Sequence, residues 1–383
     1  MNSVRCLGRD ALTGEVSIIE FGATIAAVQR RAVEPAETWL APGFIDLQIN
    51  GFAGVDYNDP RSLPEDILAS IRNLFSTGVT RLFPTVITAA PEDMLLAVRN
   101  LAKAREMGPE GKAIAGIHLE GPYISAEDGP RGAHPARWVR PPDLDEFRRL
   151  QEAAGGLIRL VTLAPEWPQA LAFIEALTAA GVTVAIGHTA ADGARIAEAV
   201  RAGASLSTHL GNGAHPLLPR HPNYIWEQLA EDRLTAGFIV DGIHLPSCFL
   251  KVALRAKGLD RSFLVTDATA PANCQPGRYR LGQQEVELTA DGRVVLAGQN
   301  RLAGSALRMD RGIENLMELA GLSLSQAVAM ATVNPARAVQ LPGRQRGLEA
   351  GELGDVVEFT LVGSPARLRV RRTWLAGALV YEA

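Results

Sequence analysis

Two histidines lie where neighbouring strands are predicted to end, and together they could bind a metal ion. His188 follows the apolar run 182–186, and His209 follows a shorter run, 204–208. A segment with helical periodicity separates the two runs, so the pattern predicts a β-α-β unit with one histidine after each strand. Because parallel neighbours end side by side, both imidazoles should face one opening. The pair therefore favours a metal site over two separately hydrogen-bonded histidines.

Carboxylates at the ends of other predicted strands could complete such a site. Glu120 is the expected anionic partner of His188 and His209, which would give two nitrogen ligands, one oxygen ligand and an open position for water. A metal held in this way lowers the pKa of its water and polarises a carbonyl oxygen. Asp267 follows a mostly apolar strand; near a cation it would stay ionised and could move a proton. The alternatives are a turn cap for Glu120 and an Asx turn for Asp267.

The remaining histidines and one loop arginine give further candidates. Four of the seven histidines lie at or beside predicted strand ends: His118, His188, His209 and His244. His118 should sit deeper in the barrel than Glu120, two residues later, and should support the core. His134 lies on the loop after the third strand, where it could contact a substrate. Arg220 lies in a proline-containing loop, where it could bind an anion, although a lone loop arginine is usually solvated.

The elements that position these residues alternate between strand and helix through the middle of the chain. The predicted strands are 44–49, 81–87, 113–119, 157–163, 182–186, 204–208, 234–240 and 263–266. The predicted helices are 64–77, 91–107, 143–154, 168–180, 192–202 and 247–257, followed by about 305–320 and 324–332. This rhythm predicts a (β/α)8 TIM barrel of the α/β class, with the active site at the carboxyl ends of the strands. An open doubly wound sheet is the alternative, but no glycine-rich phosphate turn follows the first strand.

Both chain termini read as short strands separated by turns. Residues 1–42 and 345–383 are each too short to enclose a core, so we predict that they pair into one small β-sandwich domain. Residues 43–344 then form the catalytic barrel, which includes a polar, strand-like stretch at 278–297.

Bulk composition excludes several classes of protein. Of the 383 residues, 47% are hydrophobic and 21% are charged, so a large core can form. The net charge of −4 argues against a nucleic-acid partner, and no run of about 18 apolar residues predicts a membrane span. Three separated cysteines in no CxxC pattern favour a reducing, cytoplasmic location. The N-terminal residues lack the basic and apolar regions of a signal peptide.

A series of motifs links these candidates to a known family. APGFID, GIHLEGPY, GAHP, GHT, STHL, DGIHL, LVTDA, NPAR and GELGDVV occur in this order from about residue 41 to 358. Together they resemble the N-acetylglucosamine-6-phosphate deacetylase family of the amidohydrolase superfamily. The resemblance implies a metal-dependent barrel with a terminal β-sandwich, and a homodimer. It also implies an activity that removes acetate from N-acetylglucosamine 6-phosphate, yielding glucosamine 6-phosphate.

The resemblance also assigns catalytic roles to individual residues. By their place in the motifs, Glu120, His188 and His209 match the family's metal ligands. Asp267 matches the residue that acts as general base and then general acid. His134 matches a histidine that assists at the amide carbonyl.

Four further residues match positions that contact the substrate. His244 matches a substrate contact, and Asn212 with Gly213 align with the segment whose amide groups meet the phosphate. Arg220 aligns with a phosphate-binding arginine that reaches across the dimer in this family. These assignments imply an amino sugar phosphate as the small-molecule partner.

The sequence departs from the superfamily pattern on the first strand. Members often carry His-x-His there, whereas this chain has Gln48-Ile49-Asn50. Amides bind divalent metals more weakly than imidazoles, so we expect one divalent ion rather than two. Zinc is expected first, and iron, manganese or cobalt would also accept this ligand set.

Two other departures concern the pocket for the sugar and the phosphate. Gly211 and Gly213 stand where bulkier residues are common, and the segment from Glu120 to His134 is slightly long. The alternative activity is therefore deacetylation of another amino sugar, such as N-acetylgalactosamine 6-phosphate or a non-phosphorylated sugar, or of an N-acyl amino acid. A metal-supported sugar-binding protein without activity is a third hypothesis, which gives Asp267 no purpose.

Overall fold

The computed structural model describes residues 3–31 and 37–383. Residues 1–2 and 32–36, which the sequence assigns to the terminal domain, lie outside the described residues. The strands, in chain order, are β1 (Val4–Asp10), β2 (Val16–Phe21), β3 (Ile25–Arg31), β4 (Trp39–Pro42), β5 (Phe44–Ile49), β6 (Gly51–Phe52), β7 (Val55–Asp56), β8 (Val79–Ile87), β9 (Ile117–Glu120), β10 (Ile158–Leu163), β11 (Thr183–Ile186), β12 (Leu206–Ser207), β13 (Thr235–Ile239), β14 (Ser262–Val265), β15 (Gly277–Leu281), β16 (Gln284–Leu288), β17 (Val294–Leu296), β18 (Val356–Val362), β19 (Arg367–Leu375) and β20 (Ala378–Glu382). The α-helices are α1 (Pro64–Leu74), α2 (Pro91–Glu106), α3 (Leu144–Ala153), α4 (Ala170–Ala179), α5 (Gly193–Ala202), α6 (Tyr224–Ala230), α7 (Ser247–Lys257), α8 (Met309–Asn315), α9 (Leu324–Ala331) and α10 (Val333–Ala338).

Eight parallel strands form a barrel that confirms the predicted (β/α)8 architecture. Their order is β14-β13-β12-β11-β10-β9-β8-β5. The first and last strands meet at their carboxyl ends: the Asp267 amide donates to the Gln48 carbonyl at 2.9 Å, and the Asn50 amide donates to the Ala268 carbonyl at 2.6 Å. Strands such as β14 are buried on both faces, which explains the continuous apolar sequence at 263–265. The closure brings the predicted site residues of the first and eighth strands together.

The helices follow the predicted pattern with two additions, α6 and α10. Helix α9 begins with the expected cap, because the Ser323 side chain accepts from the Gln326 amide and the two residues form a capping box. Helix α6 was not predicted, because prolines and glycines dominate the loop before it. Its cap is Asn223, whose side chain accepts from two backbone amides of the first turn. Within the described residues, none of the helices has both the length and the apolar character needed to cross a membrane.

The terminal segments form one seven-stranded sheet that encloses its own small core. Its order is β20-β19-β18-β4-β1-β2-β3, so β19 and β2 are four positions apart. In a flat sheet those strands would be roughly 19 Å apart. The rings of Phe21 on β2 and Trp374 on β19 are nevertheless only 5.5 Å apart between centroids. The sheet therefore folds over itself, as the predicted β-sandwich requires. Domain boundaries at 42/43 and 344/345 remain a proposal.

A buried ion cluster joins this sheet to the amino-terminal end of the barrel. The Asp355 carboxylate accepts from Arg81 at 2.6 and 3.2 Å, from Arg344 at 2.5 Å and from the Ala376 amide at 2.7 Å. Arg344 also donates to the Gly43 carbonyl. Burial raises the pKa of Asp355, but Arg344 and Arg81 outweigh it and hold that pKa below its usual range. The carboxylate is therefore the charge that balances two arginines.

Replacing Asp355 by asparagine should destabilise the fold by about 3–5 kcal/mol, because the buried guanidinium of Arg344 and the partly buried guanidinium of Arg81 would then lack a counter-charge. The free energy of unfolding in urea measures the effect. Glu349→Gln is the matched control, since Glu349 pairs with Arg30 at 2.7 Å on the surface, where both side chains are about half exposed. That substitution should cost less than about 1 kcal/mol. Equal losses in the two variants would show that the buried cluster does not hold the sheet to the barrel.

Candidate metal and catalytic site

The register of two neighbouring strands brings His188 and His209 to the same level. Strand β11 pairs with β12 in parallel, with Ile186 opposite Ser207. Each histidine lies two residues after one of those partners, so the two imidazoles leave the barrel side by side. Glu120 ends β9, where it is aligned with Thr162 of the intervening strand β10. Three different strands thus supply the three side chains, as the sequence predicts.

The three side chains converge on one point. Oε1 of Glu120 lies 3.2 Å from Nε2 of His188 and 3.0 Å from Nε2 of His209. The two Nε2 atoms are 3.0 Å apart. All three residues are buried. We refer to Glu120, His188 and His209 as the ligand triad.

The hydrogen-bond partner of His188 indicates what the triad is built to hold. Nδ1 of His188 lies 2.7 Å from the Pro130 carbonyl oxygen, which can only accept, so Nδ1 carries the proton. Nε2 of a neutral His188 is then a lone pair that faces the Glu120 carboxylate. A cation between these acceptors removes their mutual repulsion, and a divalent metal ion fits this set of ligand atoms. Three ligands at about 2.0–2.2 Å from a tetrahedral zinc ion lie roughly 3.3–3.5 Å from one another, close to the separations in the triad.

The backbone is strained where three of the site residues leave the barrel. His188, His209 and Asp267 have φ angles of 50°, 28° and 50°. Such left-handed conformations cost a residue other than glycine of order 1–3 kcal/mol and concentrate at functional sites. The strain at three strand ends of one barrel rim indicates that the positions of these side chains matter more than local stability.

A glycine in the loop after β12 makes room for His188. Gly213 has a φ of 56°, and a Cβ atom there would lie 2.6 Å from Nδ1 of His188. Gly213 is one of the positions where the sequence departs from the bulkier residues common in the family. The close approach explains why this chain needs a glycine there: a side chain would displace a member of the ligand triad.

Two amides on the first strand hold the carboxylates in place. Asn50 Nδ2 donates to Oδ1 of Asp267 at 2.7 Å. Gln48 Nε2 donates to Glu120 at 2.8 Å and lies 3.3 Å from Oδ1 of Asp267. Gln48 therefore bridges the ligand triad and the predicted general base.

Asp267 has the electrostatic environment of a group that exchanges protons near neutral pH. Burial, followed by the nearby charge of Glu120, raises the pKa of Asp267 to about 7. A general base works best when its pKa is near the working pH. In Glu120 itself, burial raises the pKa, but the adjacent imidazoles of His188 and His209 outweigh it and keep the pKa well below the usual value. Glu120 is thus the permanent anion of the pair.

His134 approaches the triad from the loop after β9. Its ring lies 4.5 Å from that of His188 between centroids, and its Nδ1 lies 2.9 Å from Oγ1 of Thr88. Burial, followed by the proximity of His188, lowers the pKa of His134 to about 3, so the ring is neutral. Donor atoms of Glu120, His134 and His188 also lie within 4.8 Å of one another. His134 is therefore either a further metal ligand or a group beside the metal.

His118 and His244 are fixed by other partners. His118 is buried, with Nε2 at 2.7 Å from Oγ1 of Thr162 and Nδ1 at 3.1 Å from the Leu47 carbonyl. This position in the barrel interior agrees with its expected supporting role. Nδ1 of His244 lies 2.6 Å from the Asp241 carboxylate, an acceptor, so Nδ1 carries the proton and Nε2 is left for another partner.

The site opens into a cavity of about 620 Å³, within the range of small-molecule sites, about 300–1,000 Å³. Eight of the nine predicted site residues line it: Glu120, His134, His188, His209, Asn212, Gly213, His244 and Asp267. Arg220 does not line the cavity and is exposed on the surface. The structure of one chain therefore gathers the predicted metal and catalytic residues with Asn212 and Gly213 of the predicted phosphate segment, and leaves Arg220 outside.

Sequence reasoning missed two kinds of residue at this site. Thr88, the partner of His134, directly follows β8, and a threonine there does not differ in type from the threonines of the strand itself. The small sheet of β15, β16 and β17 covers the cavity and contributes Leu281 and Gln284 to its lining, and Arg293 and Arg301 beside it line the cavity too. No motif marks these residues, because their approach depends on how the sheet packs over the barrel.

Comparisons with known proteins agree with this geometry. Residues 39–380 match the Amidohydrolase family. The chain is 39% identical over 358 residues to N-acetylglucosamine-6-phosphate deacetylase from Bos taurus, covering 90% of this chain and 83% of that protein. It is 34% identical over 347 residues to the enzyme of the same name from Bacillus subtilis, covering 90% and 86%.

A solved structure extends the likeness to three dimensions. It is a mutant N-acetyl-D-glucosamine-6-phosphate deacetylase from Mycobacterium smegmatis in complex with N-acetyl-D-glucosamine-6-phosphate. The TM-score is 0.87 at 34% sequence identity, and the match covers 98% of this chain and 99% of that chain. The likeness therefore includes the barrel and the terminal sheet together.

Proposed function

Because the chain belongs to the amidohydrolase family and, within it, to the N-acetylglucosamine-6-phosphate deacetylases, we propose that its cavity hydrolyses N-acetylglucosamine 6-phosphate. The protein is a metal-dependent hydrolase that releases acetate and leaves glucosamine 6-phosphate. The observation that carries this proposal is the convergence of the ligand triad, with atoms 3.0–3.2 Å apart, beside Asp267.

Each residue of the site has a distinct task in breaking the amide bond. Glu120, His188 and His209 would hold a divalent ion, which would polarise the acetamide carbonyl and lower the pKa of water. Asp267 accepts a proton from the attacking water as the new carbon–oxygen bond forms. The same carboxyl group then delivers that proton to the nitrogen as the carbon–nitrogen bond breaks. The neutral His134 donates a hydrogen bond to the developing oxyanion.

We propose one zinc ion at the triad. Two imidazoles and a carboxylate with an open position are a common zinc ligand set, and iron, manganese or cobalt remain alternatives. A single ion is supported by Gln48 and Asn50 on the first strand, because amides bind divalent metals more weakly than the imidazoles of a His-x-His pair. Metal analysis of the purified protein tests both the identity and the stoichiometry.

We also propose that Arg220 reaches the cavity of a second copy in a homodimer. The same loop exposes Leu217, whose relative exposure is 88%, and α6 beside it exposes Trp226, at 48%. Pro216 of this loop lines the cavity, so a partner docked there would lie beside the substrate. The mass of the protein in solution tests the dimer.

A cytoplasmic location is supported by three free cysteines, Cys6, Cys248 and Cys274.

The substrate assignment predicts a strong dependence on phosphate. Acetate release from N-acetylglucosamine 6-phosphate should exceed that from free N-acetylglucosamine by about 100-fold or more in kcat/KM, because charged hydrogen bonds to phosphate would be lost. The panel should include N-acetylgalactosamine 6-phosphate and N-acyl amino acids. Equal rates with and without phosphate, or preference for another member of the panel, would replace the assignment by the alternative deacetylase activity. No turnover on any member by metal-loaded protein would favour a binding protein.

A further inference from the structure

The cavity contains a cation that the assigned site residues do not include. Its only arginines, within the part of the chain that the structure describes, are Arg293 and Arg301. Its carboxylates are Glu120, a member of the ligand triad, and Asp267, which is linked to Glu120 through the Gln48 amide. A phosphorylated substrate whose acetamide reaches the triad would direct its dianion away from those carboxylates. A cation on another part of the lining is the complement such a substrate requires.

Arg301 already has a partner, whereas Arg293 has none in the described residues. The Arg301 guanidinium binds the Asp128 carboxylate at 2.9 and 3.2 Å and the Gly132 carbonyl at 3.1 Å. The Arg293 guanidinium makes no hydrogen bond or ion pair with any described residue, although Asp291 is near in the same turn. The Asp291 carboxylate instead accepts from Oγ1 of Thr289 at 2.5 Å. Arg293 is therefore the available cation of the cavity.

The backbone holds Arg293 in a fixed place beside the catalytic centre. Its amide donates to Oγ1 of Thr289 at 3.1 Å, and its carbonyl accepts from the Thr289 amide at 2.9 Å. The carbonyl of the next residue, Val294, accepts from the Ala303 amide at 3.0 Å. Ser305, two residues after Ala303, donates its amide to the Asp267 carbonyl at 2.8 Å. Two hydrogen-bonded steps thus connect the segment of Arg293 to the strand end that carries Asp267.

We propose that Arg293 binds the phosphate group of the substrate from within the same chain. The inference rests on the proposed function, which supplies a phosphorylated sugar, and goes beyond it by naming the residue that selects for the phosphate. Arg220 would approach from a partner subunit, whereas Arg293 lines the cavity of its own chain. Each chain then carries part of its phosphate recognition whatever its oligomeric state.

The test compares Arg293→Gln with Arg278→Gln in the metal-loaded protein. Arg278 lies on β15 of the same small sheet, is exposed and does not line the cavity, so the control removes the same charge nearby. For Arg293→Gln, KM for N-acetylglucosamine 6-phosphate should rise about 10- to 100-fold with little change in kcat, as expected for loss of a charged hydrogen bond. Kinetics on free N-acetylglucosamine should not change. Arg278→Gln should behave as wild type.

A second measurement makes the result independent of turnover. Calorimetric titration with inorganic phosphate should give a weaker dissociation constant for Arg293→Gln than for wild type and for Arg278→Gln. An unchanged KM and unchanged phosphate binding in Arg293→Gln would overturn the proposal. So would an equal rise in KM for free sugar, or the same effect in Arg278→Gln. If the wild-type protein instead failed to hydrolyse the phosphorylated sugar, the proposed function would fall, and the phosphate titration would still decide the role of Arg293.

Discussion

Replacing Asp267 by asparagine should lower kcat for N-acetylglucosamine 6-phosphate by about 100-fold or more while the protein keeps its metal. Asparagine has nearly the same shape and can still accept from Asn50 through its Oδ1 atom, where the carboxylate accepts at 2.7 Å. It cannot take up a proton from water. Because Asp267 lies outside the ligand triad, metal content should stay at the wild-type level. The decrease in kcat would therefore result from the loss of proton transfer and not from a loss of metal.

The measurement pairs single-turnover acetate release with metal analysis of the same preparation. Asp46→Asn is the matched control, because Asp46 is a second buried aspartate of the barrel and contacts Thr266, next to Asp267. Asp46 does not line the cavity, so its amide variant should lose less than about 10-fold in kcat. Near-full activity of Asp267→Asn would remove this residue from the mechanism. A loss of metal in that variant would show that Asp267 acts as a ligand.

The strand ends were the part of the site that the sequence could predict. The carboxyl ends of parallel strands in a barrel all lie at one rim. Once the apolar runs are identified as strands, the residues that follow them, Glu120, His188, His209 and Asp267, are therefore expected to lie together. The eight barrel strands were all expected, although β12 contains only two residues, Leu206–Ser207, instead of five. The position of β12 is defined by its pairing with β11 and β13, so a strand of two residues is sufficient there.

The parts that could not be predicted depend on contacts between distant segments. The backbone carbonyl of Pro130 fixes the tautomer of His188. Every residue has such a carbonyl, so the amino-acid sequence does not show which one will contact the histidine. Arg293 reaches the cavity only because the small sheet packs over the barrel. Strand β1 was not predicted either, because apolar and polar residues alternate only weakly in its sequence, VRCLGRD. Its pairing with β2 defines it as a strand. Local patterns predict elements, whereas such contacts follow from their packing.

Replacing His209 or His134 by alanine should show which of these two histidines binds the metal together with Glu120 and His188. One set adds His209, whose Nε2 lies 3.0 Å from both partners. The other adds His134, whose donor atom lies within 4.8 Å of the others. We expect His209→Ala to weaken zinc binding by more than about 100-fold, since the loss of an outer partner of a ligand already costs 10- to 100-fold. We expect His134→Ala to keep one zinc per chain and to lower kcat about 100-fold, as loss of one oxyanion donor does.

The same two substitutions serve as controls for each other, because each removes one buried imidazole from the wall of one cavity. Zinc titration followed by calorimetry gives the affinity, and kcat at saturating zinc gives the catalytic effect. The shorter distances to His209 favour the ligand triad, because three atoms 3.0–3.2 Å apart already match the corners of a zinc site. The triad would be wrong if His134→Ala lost the ion and His209→Ala retained it. The carbonyl-assisting role would then need a residue other than His134, and His244, whose Nδ1 is engaged by Asp241, offers its Nε2 for that task.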